Sequence, residues 1–148
     1  MGLPVDAVAV GDDVLATWAA QVKAAIDDLY VVVSDSTIGT SGTNFGAGTN
    51  VARTTLGGKD VYFTLLLPVT TAFSTDANGN LSPDVLAFTL DAAYRPTEAL
   101  NAVWGNGAVG GECIVNTDGA VTLRNGSGAS VSVAVASNVR ITASFKKA

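Results

Sequence analysis

The chain has 148 residues, of which 48% are hydrophobic and only 14% charged; this length suits one ordinary domain, or a small domain with an appendage, and argues against a multidomain enzyme. The net charge of −5 supplies no overall positive field for a phosphate backbone, which argues against general nucleic-acid binding. There is no histidine, and Cys113 is the single cysteine, which removes Ser/His/Asp and Cys/His triads, ordinary zinc sites and an internal disulfide.

The first residues of the chain, Met1 to Asp6, lack the basic segment and hydrophobic stretch that are typical of a secretory signal. No apolar run approaches the ~20 residues that a membrane-spanning helix needs. We therefore expect a soluble protein that is made in the cytoplasm.

A helix is predicted for residues 13–30, after an extended lead over residues 4–10. Gly11, Asp12 and Asp13 provide an N-cap and acidic groups that suit the positive end of a helix dipole. Apolar side chains then recur at spacings of three and four residues, which places them on one stripe. The members of this heptad seam are Leu15, Trp18, Val22, Ala25 and Leu29.

Such a helix needs a partner, because isolated helices shorter than ~12–15 residues are marginal in water and this one is barely longer. Its stripe, widened by Ile26, must pack either against the rest of the chain or against copies of itself. The following residues, 34–50, are rich in Gly, Ser, Thr and Asn and are predicted to form a linker or extended arm. A helix tethered in this way is free to bundle with other chains.

From residue 51 the hydrophobic pattern changes to a period of two, which predicts strands. Polar residues on the opposite faces favour antiparallel rather than buried parallel sheets. Asn-Gly and Asp-Gly pairs between the strands predict tight turns, most clearly Asp118-Gly119. The groups that share a face are Val61, Phe63, Leu65 and Leu67; Leu86, Phe88 and Leu90; Val121 and Leu123; Val131, Val133 and Val135; and Val139, Ile141, Ala143 and Phe145.

These patterns predict a mainly β protein with three parts. Residues 1–33 form an N-terminal attachment segment with the helix, residues 34–50 form the Gly/Ser/Thr linker, and residues 51–148 form an antiparallel β-sandwich that is jelly-roll-like. The strand-rich part is the head of the molecule.

Few residues suggest a chemical site. The loop from Asp76 to Asp84 alternates oxygen-bearing side chains as calcium loops do, but its glycine and twelfth residue do not match, so a hairpin loop is the preferred interpretation. Glu98 and Glu112 are isolated carboxylates. Trp104, beside a Gly-rich loop, is the best candidate for an exposed aromatic that contacts a ligand such as a glycan. We predict no catalytic residues, no metal and no cofactor.

With these residues laid out, the chain resembles small structural proteins of tailed bacteriophages, especially minor tail and fibre-like proteins of phages that infect actinobacteria. The resemblance lies in the lead and helix, Val8–Trp18, in Ala93–Thr97 and in Gly110–Leu123. It implies a homotrimer whose N-terminal segment attaches to other virion proteins and whose β head faces outward. The seam is short and there is no extended shaft, which leaves capsid decoration as a competitor to tail attachment.

The resulting hypothesis is a non-enzymatic, homotrimeric tail or tail-tip protein of the virion that is available for host contact, with a cell-surface glycan as a candidate partner. A capsid decoration or head-fibre protein is the first alternative. A monomeric carbohydrate-binding module is the second, and it predicts that Trp104→Ala abolishes glycan affinity. An enzyme would instead lose turnover when Glu98 or Glu112 is neutralised.

Overall fold

The computed structural model describes residues 14–29, 33–35, 37–55 and 59–148. The predicted lead and N-cap, residues 4–13, lie outside this part of the chain. One helix precedes a series of strands, with a short 3-10 turn at Ala92–Tyr94. The elements are α1 Val14–Leu29, β1 Val33–Asp35, β2 Gly39–Ser41, β3 Thr49–Thr55, β4 Asp60–Pro68, β5 Phe73–Ser74, β6 Asn80–Leu90, β7 Leu100–Gly105, β8 Gly110–Val115, β9 Ala120–Asn125, β10 Ser132–Val133 and β11 Asn138–Lys146.

Nine of the strands form one sheet in the order β1-β3-β4-β11-β7-β8-β9-β6-β2. Every pairing in it is antiparallel, and β5 and β10 form a separate antiparallel ribbon. The predicted mainly β architecture, with an N-terminal helix and antiparallel strands, is therefore confirmed.

The sheet curls so that its two edges approach each other. Strands β1 and β2 lie at opposite edges, yet only residues 36–38 separate the end of β1 from the start of β2. An extended chain of this length spans at most about 14 Å. The two edges are therefore neighbours in space as well as in sequence, and the inner face of the curled sheet encloses the core.

The core is built from the alternating residues of the long strands. On β4 the residues that face inward are the predicted group from Val61 to Leu67, and on β11 Val139, Ile141 and Ala143 do the same. The ring of Phe73 packs against those of Phe45 and Trp104, with centroids 5.9 and 6.2 Å apart. The β5–β10 ribbon thereby contributes to the same core as the large sheet.

The predicted linker is part of this core. Ile38 is fully buried and Phe45 is 6% exposed, and the segment between them contains β2, which pairs with β6. The amide of Gly46 donates a hydrogen bond to the carbonyl of Pro68 at 2.9 Å. The prediction of a free linker was wrong for residues 37–50, because two apolar anchors and a few backbone hydrogen bonds are enough to fix a segment of small residues.

Glycine turns join the strands where the sequence predicts them. Asp118-Gly119 connects β8 to β9, with Gly119 at a φ of 92° and the Asp118 carboxylate accepting the amide hydrogen of Ala120 at 2.9 Å. Asn106-Gly107 connects β7 to β8 in the same way, with Gly107 at a φ of 94°. Positive φ at these positions favours glycine, which explains the dipeptides.

Candidate functional site

The apolar stripe of α1 is exposed on the single chain. The side chains of Trp18 and Ile26 are 59% and 47% exposed, Ala25 is exposed and Val22 is half-buried. Leu15 and Leu29 belong to α1, but their side chains fall outside the described part of the structure. The predicted helix is confirmed, and of the predicted seam three side chains can be placed, none of them buried.

An exposed stripe of this kind is unfavourable in water. Burying one large apolar side chain contributes about 1.5–3 kcal/mol, while a lone helix of this length is marginal. Single exposed apolar residues are ordinary. Trp18 and Ile26 lie about two turns apart on one helix, with the half-buried Val22 between them. The chemistry that this arrangement supports is packing against another apolar surface.

The outer face of the curled sheet carries a second set of exposed apolar side chains. Tyr62 on β4 is 45% exposed, Leu86 on β6 is 43% exposed and Val103 on β7 is 72% exposed. Around Tyr62 a shallow groove is lined by Val51, Arg53 and Thr64. We call Val51, Arg53, Tyr62 and Thr64 together the β3–β4 outer face.

A polar depression lies where β8, β9 and β6 run side by side. Arg124 is 3.7 Å from the carboxylate of Asp84, and both side chains are about half-exposed. Asn125 receives the amide hydrogen of Glu112 at 2.7 Å and donates from its own side chain to the Glu112 carboxylate at 3.4 Å. The depression therefore holds one ion pair, between Arg124 and Asp84, and a contact between the Asn125 amide and the Glu112 carboxylate.

Trp104 does not contact solvent, and its prediction as an exposed ligand contact was wrong. Its side chain is 1% exposed, and its indole N–H donates a 2.9 Å hydrogen bond to the carbonyl of Asn125. Gly111 lies so close that a Cβ there would be 2.8 Å from the indole nitrogen. The neighbouring glycines make room for the ring inside the core, and the carbohydrate-binding alternative loses its anchor residue.

The Asp76 loop is a turn held by its own backbone. The Asp76 carboxylate accepts the amide hydrogens of Asn80 and Asn78, each at 2.8 Å, and these two bonds hold its pKa below the ordinary value. Gly79 has a φ of 83°. Within the described residues no group of three or more acidic or cysteine side chains is placed to hold a metal ion.

The remaining candidate residues are not brought together. Glu98 lies in a depression with Leu100 and Lys146, whereas Glu112 lies in the polar depression beside Arg124. Cys113 is fully buried; its burial, and secondarily the charge of Glu112, raises the pKa of its thiol to about 12. A thiol in this state is not a nucleophile at neutral pH.

No model of a known protein family matches the chain, and none of the curated proteins matches it. In the part of the chain that the structure describes, no helix combines the length and the apolar character needed to cross a membrane.

Proposed function

We propose that the protein is a non-enzymatic structural component of a tailed-phage virion, a homotrimeric tail or tail-tip protein that associates through α1. The helix attaches the chain to its copies and, with the residues before it, to the particle. The β head faces outward and is available for host contact. We interpret its curled sheet as the jelly-roll-like sandwich that the strand pattern predicts.

The observation that supports this proposal best is the contrast in burial between the two tryptophans. Trp104 on the sheet is 1% exposed, whereas Trp18 on α1 is 59% exposed. An exposed tryptophan on a helix that is marginal by itself supports the proposal of a partner surface on α1. Seam positions at spacings of three and four suit a helix bundle.

The head has the properties of a stable structural module rather than of an enzyme. The carboxylates of its polar depression are paired with Arg124 and Asn125, and its one thiol is buried. A buried thiol with a raised pKa is not available as a nucleophile at neutral pH. The described residues thus favour a binding or scaffolding role.

A pair of matched variants tests the helix seam. Ala25 and Ala24 are both exposed on α1, but only Ala25 belongs to the seam. Ala25→Asp places a charge in the centre of an apolar interface in every copy, and burial of unpaired charge is strongly unfavourable. We expect Ala25→Asp to dissociate the assembly in light-scattering measurements.

Ala24→Asp is the control, because it has the same cost in helix propensity and the same change in charge, one residue away on another side of the helix. It should leave the mass unchanged. Equal behaviour of the two variants, both assembled or both dissociated, would contradict association through this seam.

The position of the protein in the particle distinguishes a tail or tail-tip protein from a capsid decoration protein. An antibody against the β head should bind at the tail or tail tip of virions that carry the chain, as seen by negative-stain microscopy. Binding over the capsid shell would mean that the protein decorates the capsid instead of the tail, and the proposed structural role would still hold.

A further inference from the structure

We propose that in the trimer the heads also contact one another, with the β3–β4 outer face of one copy packed against the surface around Leu86 on β6 of the next copy. This inference rests on the proposed trimer and names a second interface within it. The partner at this interface is a second copy of this chain.

The covalent connection between helix and head keeps the heads close together. Strand β1 begins at Val33, and α1 ends at Leu29, so the connection spans at most about 14 Å. Packed helices have axes about 8–10 Å apart. The β1 edges of three copies are therefore held close to one axis, and tethering over such distances raises the effective concentration of each head to about the millimolar range.

The curl of the sheet determines which surfaces of neighbouring heads face each other. Strands β1 and β2 are its two edges and are separated by residues 36–38, so the side of the head that is tethered to the axis is the side where the edges approach. Strands β3 and β4 flank this side in one direction, and β6 flanks it in the other. A threefold ring brings two different patches together at each contact, and these two flanks are the patches that face neighbouring copies.

The side chains on both flanks suit a protein interface. Tyr62 is 45% exposed and Leu86 is 43% exposed, and Val51 beside Tyr62 is half-buried. Arg53 lies in the same groove and forms no ion pair with any other described residue. Tyrosine and arginine are enriched in interfaces, where an aromatic ring buries large area at low entropic cost.

Val103 provides an internal control. It is the most exposed large apolar side chain of the described residues, at 72%, and it also points outward. It lies on β7, the middle strand of the nine, which is the wall farthest from both edges. A contact created by the tether should cover Tyr62 and Leu86 and leave Val103 in water.

Hydroxyl-radical footprinting of the full chain, read by peptide mass spectrometry, tests this arrangement without altering the head. The parent protein is compared with Ala25→Asp as the dissociated reference. We expect oxidation of Tyr62 and Leu86 to be several-fold slower in the parent than in the variant, while Val103 is oxidised at the same rate in both.

The outcomes separate this inference from the proposed function. A parent trimer in which Tyr62 and Leu86 are oxidised as fast as in the dissociated variant overturns the head contact and leaves the helix seam standing. A parent that is monomeric overturns both. A trimer that survives Ala25→Asp overturns the seam, and with it the tether that brings the heads together.

Discussion

The two tryptophans of the chain occupy opposite environments, and they define two regions with different physical requirements. Trp104 is 1% exposed and hydrogen-bonded through its indole N–H, whereas Trp18 is 59% exposed on a helix. The head buries its tryptophan inside its own core. The helix presents the same kind of group to water.

The difference suits a head that folds independently of the helix stripe. Among the residues whose burial the structure describes, the core lies between Ile38 and Ala143, so the head has an apolar interior of its own. The stability of α1 must come from outside it, since helices of this length gain most of their stability from packing. Folding of the head and association of the helix are thus separable properties.

The largest expected effect comes from truncating the buried tryptophan. Trp104→Ala removes a ring that contacts Phe73 and should lower the free energy of unfolding by about 3–5 kcal/mol. Trp104→Phe keeps most of the apolar area but leaves the Asn125 carbonyl without its donor, and a loss of about 1–3 kcal/mol is expected. Urea denaturation followed by circular dichroism measures both.

Trp18→Ala is the matched truncation on the exposed helix. It should leave the unfolding free energy of the dissociated Ala25→Asp chain almost unchanged while weakening self-association. If Trp18→Ala destabilised the isolated head as strongly as Trp104→Ala does, the separation of the two regions would be wrong.

A smaller effect is expected from the buried thiol at high pH. The pKa of Cys113 is raised from 9.0 to about 12 in the folded chain, so the protonated thiol stabilises the fold below pH 9 and this stability is lost as the pH rises from 9 towards 12. Between pH 7 and pH 10 the loss is about 1.4 kcal/mol. Cys113→Ala should lose less stability than the parent over this interval, because only the parent carries this thiol.

Urea midpoints of parent and Cys113→Ala are measured at both pH values. Comparing the two proteins removes the contribution of lysines and tyrosines, which titrate in both. Identical pH dependence of the two proteins would mean that Cys113 ionises as readily in the folded chain as in the unfolded one.

The strands could be predicted because apolar and polar residues alternate along them, and this alternation follows directly from burial of one face of the sheet. Every member of the groups on β4 and β9 is buried, and the outward residues between them are exposed or half-buried. The same logic failed at Leu86, which was grouped with Phe88 and Leu90. A register irregularity between Leu86 and Phe88 turns Leu86 outward, since one extra residue in a strand reverses the alternation.

The errors at Trp104 and in the linker have a common cause. Glycine-rich sequence predicts exposure and mobility, yet at Gly111 the missing side chain makes space for the indole ring, and Gly39 and Gly42 allow close backbone approach to β6. Local composition does not distinguish a loose loop from a tightly packed one, because the deciding contacts come from residues distant in sequence. The helix could be predicted from spacing alone, since its pattern depends only on neighbours along the chain.

The smallest expected effect concerns the Asp76 turn. The pKa of Asp76 is lowered by the hydrogen bonds from Asn80 and Asn78, so its carboxylate stabilises the fold above its ordinary pKa of 3.8 and this contribution disappears as the pH falls through the lower folded value. Asp76→Ala should therefore be slightly less stable than the parent at pH 7 and should lose less stability on acidification. Asp76→Asn keeps an acceptor oxygen and should lie between the two.

Thermal melts at pH 7 and at low pH compare these proteins. Added calcium should shift none of the melting temperatures. If calcium raised the melting temperature of the parent but not of Asp76→Ala, the loop would be a cation site rather than a turn held only by its own hydrogen bonds.

The mass of the purified parent protein in solution, measured by light scattering over a range of concentrations, tests the central claim most directly. Association through the exposed stripe of α1 predicts a trimer, at three times the chain mass of 14.9 kDa, that dissociates on dilution or on introduction of Ala25→Asp. A monomer at every concentration would contradict the claim that Trp18 and its neighbours on the seam are buried between copies of the chain.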